Sequence, residues 1–140
     1  DASRFVVSAL ESNVGGQTSG AVRVYDVYGD YFSQVGQTMY GSTEDELRGV
    51  LSNNGRRLAL GKPWLDYNGD SNRGEVRVYE LRDTRLRGRT LQEEQQWTSI
   101  GNTLRGERKD RFGHHMELSY DGSILAVGSP VGDDKRGNIR

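Results

Sequence analysis

The chain has no cysteine and only two prolines in 140 residues. Without thiols there is no disulfide framework, no thiolate nucleophile and no cysteine-type zinc site. The compartment stays open, because secreted chains can also lack cysteine. Long apolar runs are missing too. The longest is four residues, Ile124 to Val127, and only 33% of the composition is apolar, so no stretch can span a membrane as a helix. A surplus of one charge is also lacking. Nineteen Lys and Arg face 20 Asp and Glu, a net charge of −1, which gives no overall electrostatic case for nucleic acid or an anionic membrane. The opening residues do not read as a signal or transit segment. No stretch sustains the 3.6-residue apolar period of a helix.

What is present is repetition. Gly20-Ala21-Val22-Arg23-Val24-Tyr25-Asp26 returns as Gly74-Glu75-Val76-Arg77-Val78-Tyr79-Glu80, and Gly137-Asn138-Ile139-Arg140 opens a third copy. Val35-Gly36-Gln37-Thr38-Met39-Tyr40-Gly41 matches Ile100-Gly101-Asn102-Thr103-Leu104-Arg105-Gly106, with Phe32 standing where Trp97 stands. The segment from Leu51 to Pro63 matches that from Leu118 to Pro130, and residues 1–10 fit the same segment. Every part of the chain therefore belongs to a unit of roughly 55 to 65 residues, cut at an arbitrary phase. The units fall at 1–46, 47–111 and 112–140, the middle one complete.

Each unit reads as four short strands, because apolar and polar residues alternate and turn dipeptides mark the breaks. Val22 and Val24 share one face with Arg23 and Tyr25 on the other, and Val76, Val78, Arg77 and Tyr79 repeat the arrangement. Asn54-Gly55 and Asp121-Gly122 sit between apolar runs, where a two-residue type I′ hairpin is expected. The expected strands are 4–9, 21–26, 34–39, 47–52, 57–61, 76–81, 98–104, 116–119, 124–129 and a stub at 138–140. Loops are expected at 10–20, 27–33, 40–46, 62–75, 82–96, 105–113 and 130–137.

Four-stranded antiparallel sheets in tandem are the pattern of β-propeller blades, so the expected fold class is all-β, with just over two blades present. Rings normally hold about four to eight blades. The chain then reads as a fragment of a larger propeller or as a unit whose copies assemble, with neighbouring blades or other subunits covering its open flanks.

Phe112-Gly113, Leu118-Ser119-Tyr120-Asp121-Gly122 and Leu125-Ala126-Val127-Gly128-Ser129-Pro130, followed by Gly137 and a Val-Arg-Val-Tyr type strand, resemble the FG-GAP repeats of integrin α-like propellers. The resemblance covers the whole chain. In the first copy Leu47-Arg48 replaces Phe-Gly, and Gly61-Lys62-Pro63 replaces Gly-Ala-Pro. It implies a seven-bladed propeller, often extracellular, used for adhesion or ligand capture. Calcium-binding members carry an Asp-x-Asp-x-Asp-Gly type loop between the first two strands of a blade. The turns at Ser52-Asn53-Asn54-Gly55 and Ser119-Tyr120-Asp121-Gly122 are too short to supply six to eight oxygens, so calcium does not carry over.

The best cation candidate lies elsewhere, at Asp66-Tyr67-Asn68-Gly69-Asp70-Ser71-Asn72, where oxygen side chains alternate. It lacks a closing bidentate Glu, and Asn and Asp are also ordinary turn residues, so a plain inter-strand loop is the favoured reading. Asp133-Asp134 is a poorer candidate. His114 and His115 are expected on opposite faces of a strand start, with no third ligand in view. A Ser119, His115 and Asp121 triad lacks any nucleophile-elbow sequence. Arg73, Arg77, Arg82, Arg85, Arg87 and Arg89 form a basic stretch diluted by Glu75, Glu80, Asp83, Glu93 and Glu94. It has no interleaved aromatics, which fits a solvated surface better than a nucleic-acid site. Arg23, Arg77 and Arg140 recur at one position of every copy, which suggests structure: stacking on a neighbouring tyrosine or pairing with a turn carboxylate. Phe32, Trp97, Tyr25 and Tyr79 read as packing between blades. Trp64 has no partner in the other copies and stands beside the polar loop. Trp64, Asp66, Asn68 and Asp70 are therefore the expected ligand contacts.

The expected function is a non-catalytic interaction or adhesion-type module, its loops presented to a protein or polysaccharide, with no cofactor, no nucleic acid and no membrane insertion. The expected setting is a cell surface, the extracellular space, or a secretory or organellar lumen. A structural subunit of a larger assembly is the alternative. A propeller-scaffold glycan hydrolase or lyase ranks last, because no carboxylate pair stands out in the right way.

Overall fold

The computed structural model describes residues 3–10, 19–42, 46–84, 94–131 and 138–139. They form three antiparallel sheets, with no helix among the described residues. The first sheet holds β1 (Ser3–Ala9), β2 (Ala21–Tyr28), β3 (Tyr31–Gln34) and β4 (Met39–Tyr40), with β3 and β4 both paired to β2. The second has β5 (Arg48–Leu51), β6 (Arg57–Lys62), β7 (Glu75–Thr84) and β8 (Glu94–Arg105) in sequential order. The third has β9 (His115–Leu118), β10 (Leu125–Ser129) and β11 (Asn138–Ile139).

The sequence repeat reappears as register. Tyr25 pairs with Gln34 and Val27 with Phe32; at the matching places Tyr79 pairs with Ser99 and Leu81 with Trp97. Arg4 pairs with Asp26 as Arg57 pairs with Glu80. Strand pleating then sorts side chains onto opposite faces. Val22 and Val24, both buried, face the second sheet and join Val35, Leu47, Leu58, Leu60, Leu81 and Trp97 in one core. The opposite face of the second sheet supplies Ala59 and Val76 to a second core with Phe112 and Val127. Leu47 and Phe112, equivalent in the repeat, are each buried at a junction between sheets. Glycine makes that fit possible: a Cβ on Gly74 would lie 2.2 Å from the Phe112 carbonyl oxygen, and one on Gly20 would lie 2.8 Å from the Leu47 nitrogen.

Several local expectations are corrected. The strand expected at 34–39 is broken into β3 and β4, because Gly36 takes φ +70° and the ladder stops there. Its counterpart Gly101 takes φ +67°, yet β8 runs through as an irregular register between Val76 and Val78. The loop expected at 27–33 is instead a hairpin closed by Tyr28 and Tyr31 around Gly29, whose φ is +58°. Pairing also reaches into 82–96, with Arg82 opposite Gln96 and Asp83 opposite Gln95. The Asn54-Gly55 and Asp121-Gly122 turns are not type I′, since positive φ falls only on the glycines. Ser52 N–H donates to Arg57 O and Gly55 N–H to Ser52 O; Ser119, Ile124 and Gly122 repeat both bonds. Phe32 does not share the burial of Trp97: it is 64% exposed against 3%, on the face of the first sheet that points away from the second.

A link between sheets emerges that no motif announced. Arg4 holds Asp26 on the neighbouring strand through Nε and Nη2, at 2.6 and 2.8 Å, and its Nη1 donates to the carbonyl of Gly55 in the next sheet. Arg57 lies 3.9 Å from Glu80 and donates through Nη1 to the carbonyl of Gly122 in the third sheet, at 3.0 Å.

Candidate functional site

The loop after β6 carries the four residues singled out by sequence. Tyr67 and Asp70 bridge each other across Asn68 and Gly69, which take φ +53° and +82°, so this segment is itself a tight Asn-Gly turn. Asp66 accepts the Asn72 N–H at 2.8 Å, and Asp70 pairs with Arg73 at 3.6 Å. Asn68 is exposed at the tip. The carboxylates thus close their own loop, and no cluster of three or more His, Asp or Glu among the described residues could hold a metal ion. Asp133 and Asp134 lie outside the described residues, as do Arg85, Arg87, Arg89, Glu93 and Arg140.

The loop that leads to His114 runs beside it. Lys109, Arg111 and Phe112 N–H groups donate to the carbonyls of Ser71, Asn72 and Arg73. A cation–π contact fastens the two together, with the Arg111 guanidinium 4.3 Å over Trp64, and a second ties Tyr67 to Arg105 at the end of β8, also at 4.3 Å. Arg105 also reaches the buried Glu75 at 3.0 Å, beside Arg77 at 2.7 Å. Arg77 therefore pairs within its own strand, and Arg23 donates to Thr38; neither stacks on a neighbouring tyrosine.

Trp64 sits in a mixed-charge group. Its indole N–H lies against the Glu46 carboxylate and, with Arg48 at 3.0 Å, holds that carboxyl below its usual range. The Nε1 atom is itself buried and makes no hydrogen bond of good geometry, so it faces the Glu46 carboxylate and not solvent. His114 stands in the same group. Burial first, then the Arg48 charge, push its pKa below the ordinary imidazole value, and its Nδ1 has no hydrogen-bond partner. The two histidine rings meet edge to face at 4.5 Å, contrary to the expectation of opposite faces, because β9 starts only at His115 and His114 belongs to the preceding turn. Chemically this group presents a stacked guanidinium and indole over buried polar atoms.

No family model and no curated protein matches the chain.

Proposed function

We propose that the chain is a non-catalytic interaction module built of propeller-blade sheets, as its FG-GAP-like repeats suggest, with its inter-strand loops offered to a partner at a cell surface or in a lumenal compartment. One observation carries this reading: successive sheets stack in the same register and are joined by the same arginine-to-turn bond. Such nearest-neighbour joints are what a repeat architecture requires. The half-buried Trp64 with its stacked Arg111, at the head of the Asp66, Asn68 and Asp70 loop, is the contact surface proposed among the loops.

A second reading, a structural part of a larger assembly, is favoured by the outer face of the first sheet. There Phe5 stacks on Tyr25 at 5.6 Å and meets Phe32 edge-on at 5.7 Å, with Val7 exposed beside them. The matching face of the second sheet, with Tyr79, Leu81 and Trp97, is covered by Val22 and Val24. A further sheet of the same type would cover Phe32 in the same way.

Light scattering on the native species, beside its intact-chain mass, tests both readings. A particle with the mass of about four to eight repeats, broken up by Phe32→Glu, supports them. A stable monomer of the 140-residue chain, with unfolding unchanged by Phe32→Glu, overturns them.

A further inference from the structure

The junction between the first and second sheets opens on one side into a cleft of about 530 Å³, lined by Asp26, Tyr28, Ser33, Gln34, Gln37 and Gln95 among the described residues. A second hollow of about 500 Å³ shares Asp26 and Gln95 with it and extends the groove to Asn53, Asn54 and Arg56. Each volume lies within the about 300–1,000 Å³ of small-ligand sites. We propose that this groove binds a neutral oligosaccharide, with Tyr28 in the cleft wall and the Tyr31 ring stacked on it as platform for a sugar ring, and the amide oxygens of Gln34 and Gln95 as acceptors for its hydroxyls. The inference names a ligand class for the interaction module and rests on that reading only in that the chain binds its ligand without transforming it.

The lining sets the ligand chemistry. Gln34 Nε2 already donates to Gly36 O and Thr38 Oγ1, and Gln95 Nε2 to Asp83, which holds both amides in place with their oxygens as acceptors for sugar hydroxyls, whereas a phosphate or sulfate needs unpaired cations. Among the described residues no lysine or arginine lines the cleft beside Tyr28; in the second hollow Arg4 is committed to Asp26 through two bonds, while Arg56 stands exposed. Tyr28 and Tyr31 sit opposite each other on the hairpin with centroids 5.3 Å apart and planes 18° from parallel. Tyr31 is 62% exposed, so its ring can meet the C–H face of a pyranose.

The fold does not require this aromatic pair. At the equivalent places of the second sheet stand Arg82 and Gln96, themselves paired. A feature that recurs at both junctions belongs to the architecture, as the arginine link does; this one occurs at a single junction. The floor of the cleft is also fixed in advance. The Gln37 side chain clasps the Trp97 backbone with bonds of 2.8 and 2.9 Å, and the Trp97 indole N–H donates to Val35 O at 3.0 Å. Preorganised walls of this kind lower the ordering cost of binding.

Calorimetric titration of the chain with cellohexaose, laminarihexaose and mannohexaose, and with a galacturonate hexamer as acidic control, tests the proposal. At least one neutral hexamer is expected to bind with Kd below about 1 mM. Tyr31→Ala should weaken it by about fivefold or more, the contribution of one stacked ring, while Tyr31→Phe keeps the affinity. Tyr31 is exposed, so an unchanged thermal midpoint serves as the folding control. Failure of all three neutral hexamers, binding of the acidic one alone, or binding indifferent to Tyr31→Ala overturns it. These outcomes are separate from the mass measurement: a repeat-sized particle that binds no sugar keeps the module reading and loses this one.

Discussion

Arg4 and Arg57 stand at the same place in two successive sheets, and each donates to the carbonyl of the turn glycine in the sheet that follows, Gly55 at 2.7 Å and Gly122 at 3.0 Å. Each also faces a carboxylate on the adjoining strand, Asp26 or Glu80. The two are not equally strong. The Asp26 carboxyl is held below its usual range by its bonds to Arg4, whereas the Arg57–Glu80 pair is longer and about one-third exposed.

Arg4→Ala is therefore expected to cost more than Arg57→Ala. Loss of a part-buried, charge-assisted bond while Asp26 keeps its charge should destabilise the chain by about 2 kcal/mol. The exposed Glu80 pair adds little to the Arg57 bond, for about 1 kcal/mol in total. Urea unfolding of both variants, with a double-mutant cycle on Arg4 and Asp26, checks the order.

Glycine substitutions should separate two costs. Gly122 takes φ +71° and an added Cβ would lie 2.7 Å from the Arg57 Cδ; Gly69 takes φ +82° with nothing near its Cβ direction. Gly69→Ala pays only for the left-handed backbone, about 1 kcal/mol. Gly122→Ala pays that and displaces the arginine, so its loss of stability should be the larger, and the Arg57→Ala background should shrink the difference.

Trp97→Phe loses the indole bond to Val35 and leaves space in the core shared by two sheets, with an expected cost of about 2–3 kcal/mol. Phe32→Leu, at the equivalent register position, should change the stability of the isolated chain by less than about 0.5 kcal/mol. Thermal unfolding of the two variants side by side gives the comparison.

Two groups should respond to acid in different windows. The Asp121 carboxylate, fully exposed, is held at about 2 by the Ser123 N–H and hydroxyl and the Ser119 hydroxyl, so its stabilisation of the turn is complete above its ordinary value of 3.8 and lost as pH falls through 2. Asp121→Asn should abolish that dependence with the turn intact, because Asn54 already accepts the equivalent bonds from Ser52 and Arg56. His114 has its pKa lowered, so the folded state favours the neutral ring. Its contribution is complete above 6.5 and declines as pH falls below that value, and His114→Gln should flatten the decline. NMR titration of the Asp121 and His114 resonances reads both.

Much of the fold was legible because a repeat constrains itself. The Val-x-Val strands, the Leu47 and Phe112 wedges and the turn glycines carry the same signal two or three times, and the all-β sheets follow from it. Position-specific burial was not legible. Phe32 and Trp97 are equivalent in sequence and register, yet only Trp97 has a sheet to cover it, a fact of neighbours and not of local pattern. The Arg4 and Arg57 link escaped notice because the third copy has Ile124 there, 69% exposed, and because a guanidinium bonding to a carbonyl leaves no mark on its partner's side chain. The carboxylates of the candidate loop are already used: Asp66 and Asp70 bond within it, which the alternation of oxygen side chains did not reveal. The cleft between sheets was invisible because its walls, Tyr28 and Gln95, meet only after the sheets stack.

The direction of the arginine bonds has a temporal consequence. In each case the donor precedes its acceptor in the chain, Arg4 before Gly55 and Arg57 before Gly122. During synthesis at about 5–20 residues per second, each guanidinium is already in place when the turn it grips emerges. Each of these two joints therefore closes only when the later sheet has formed its turn.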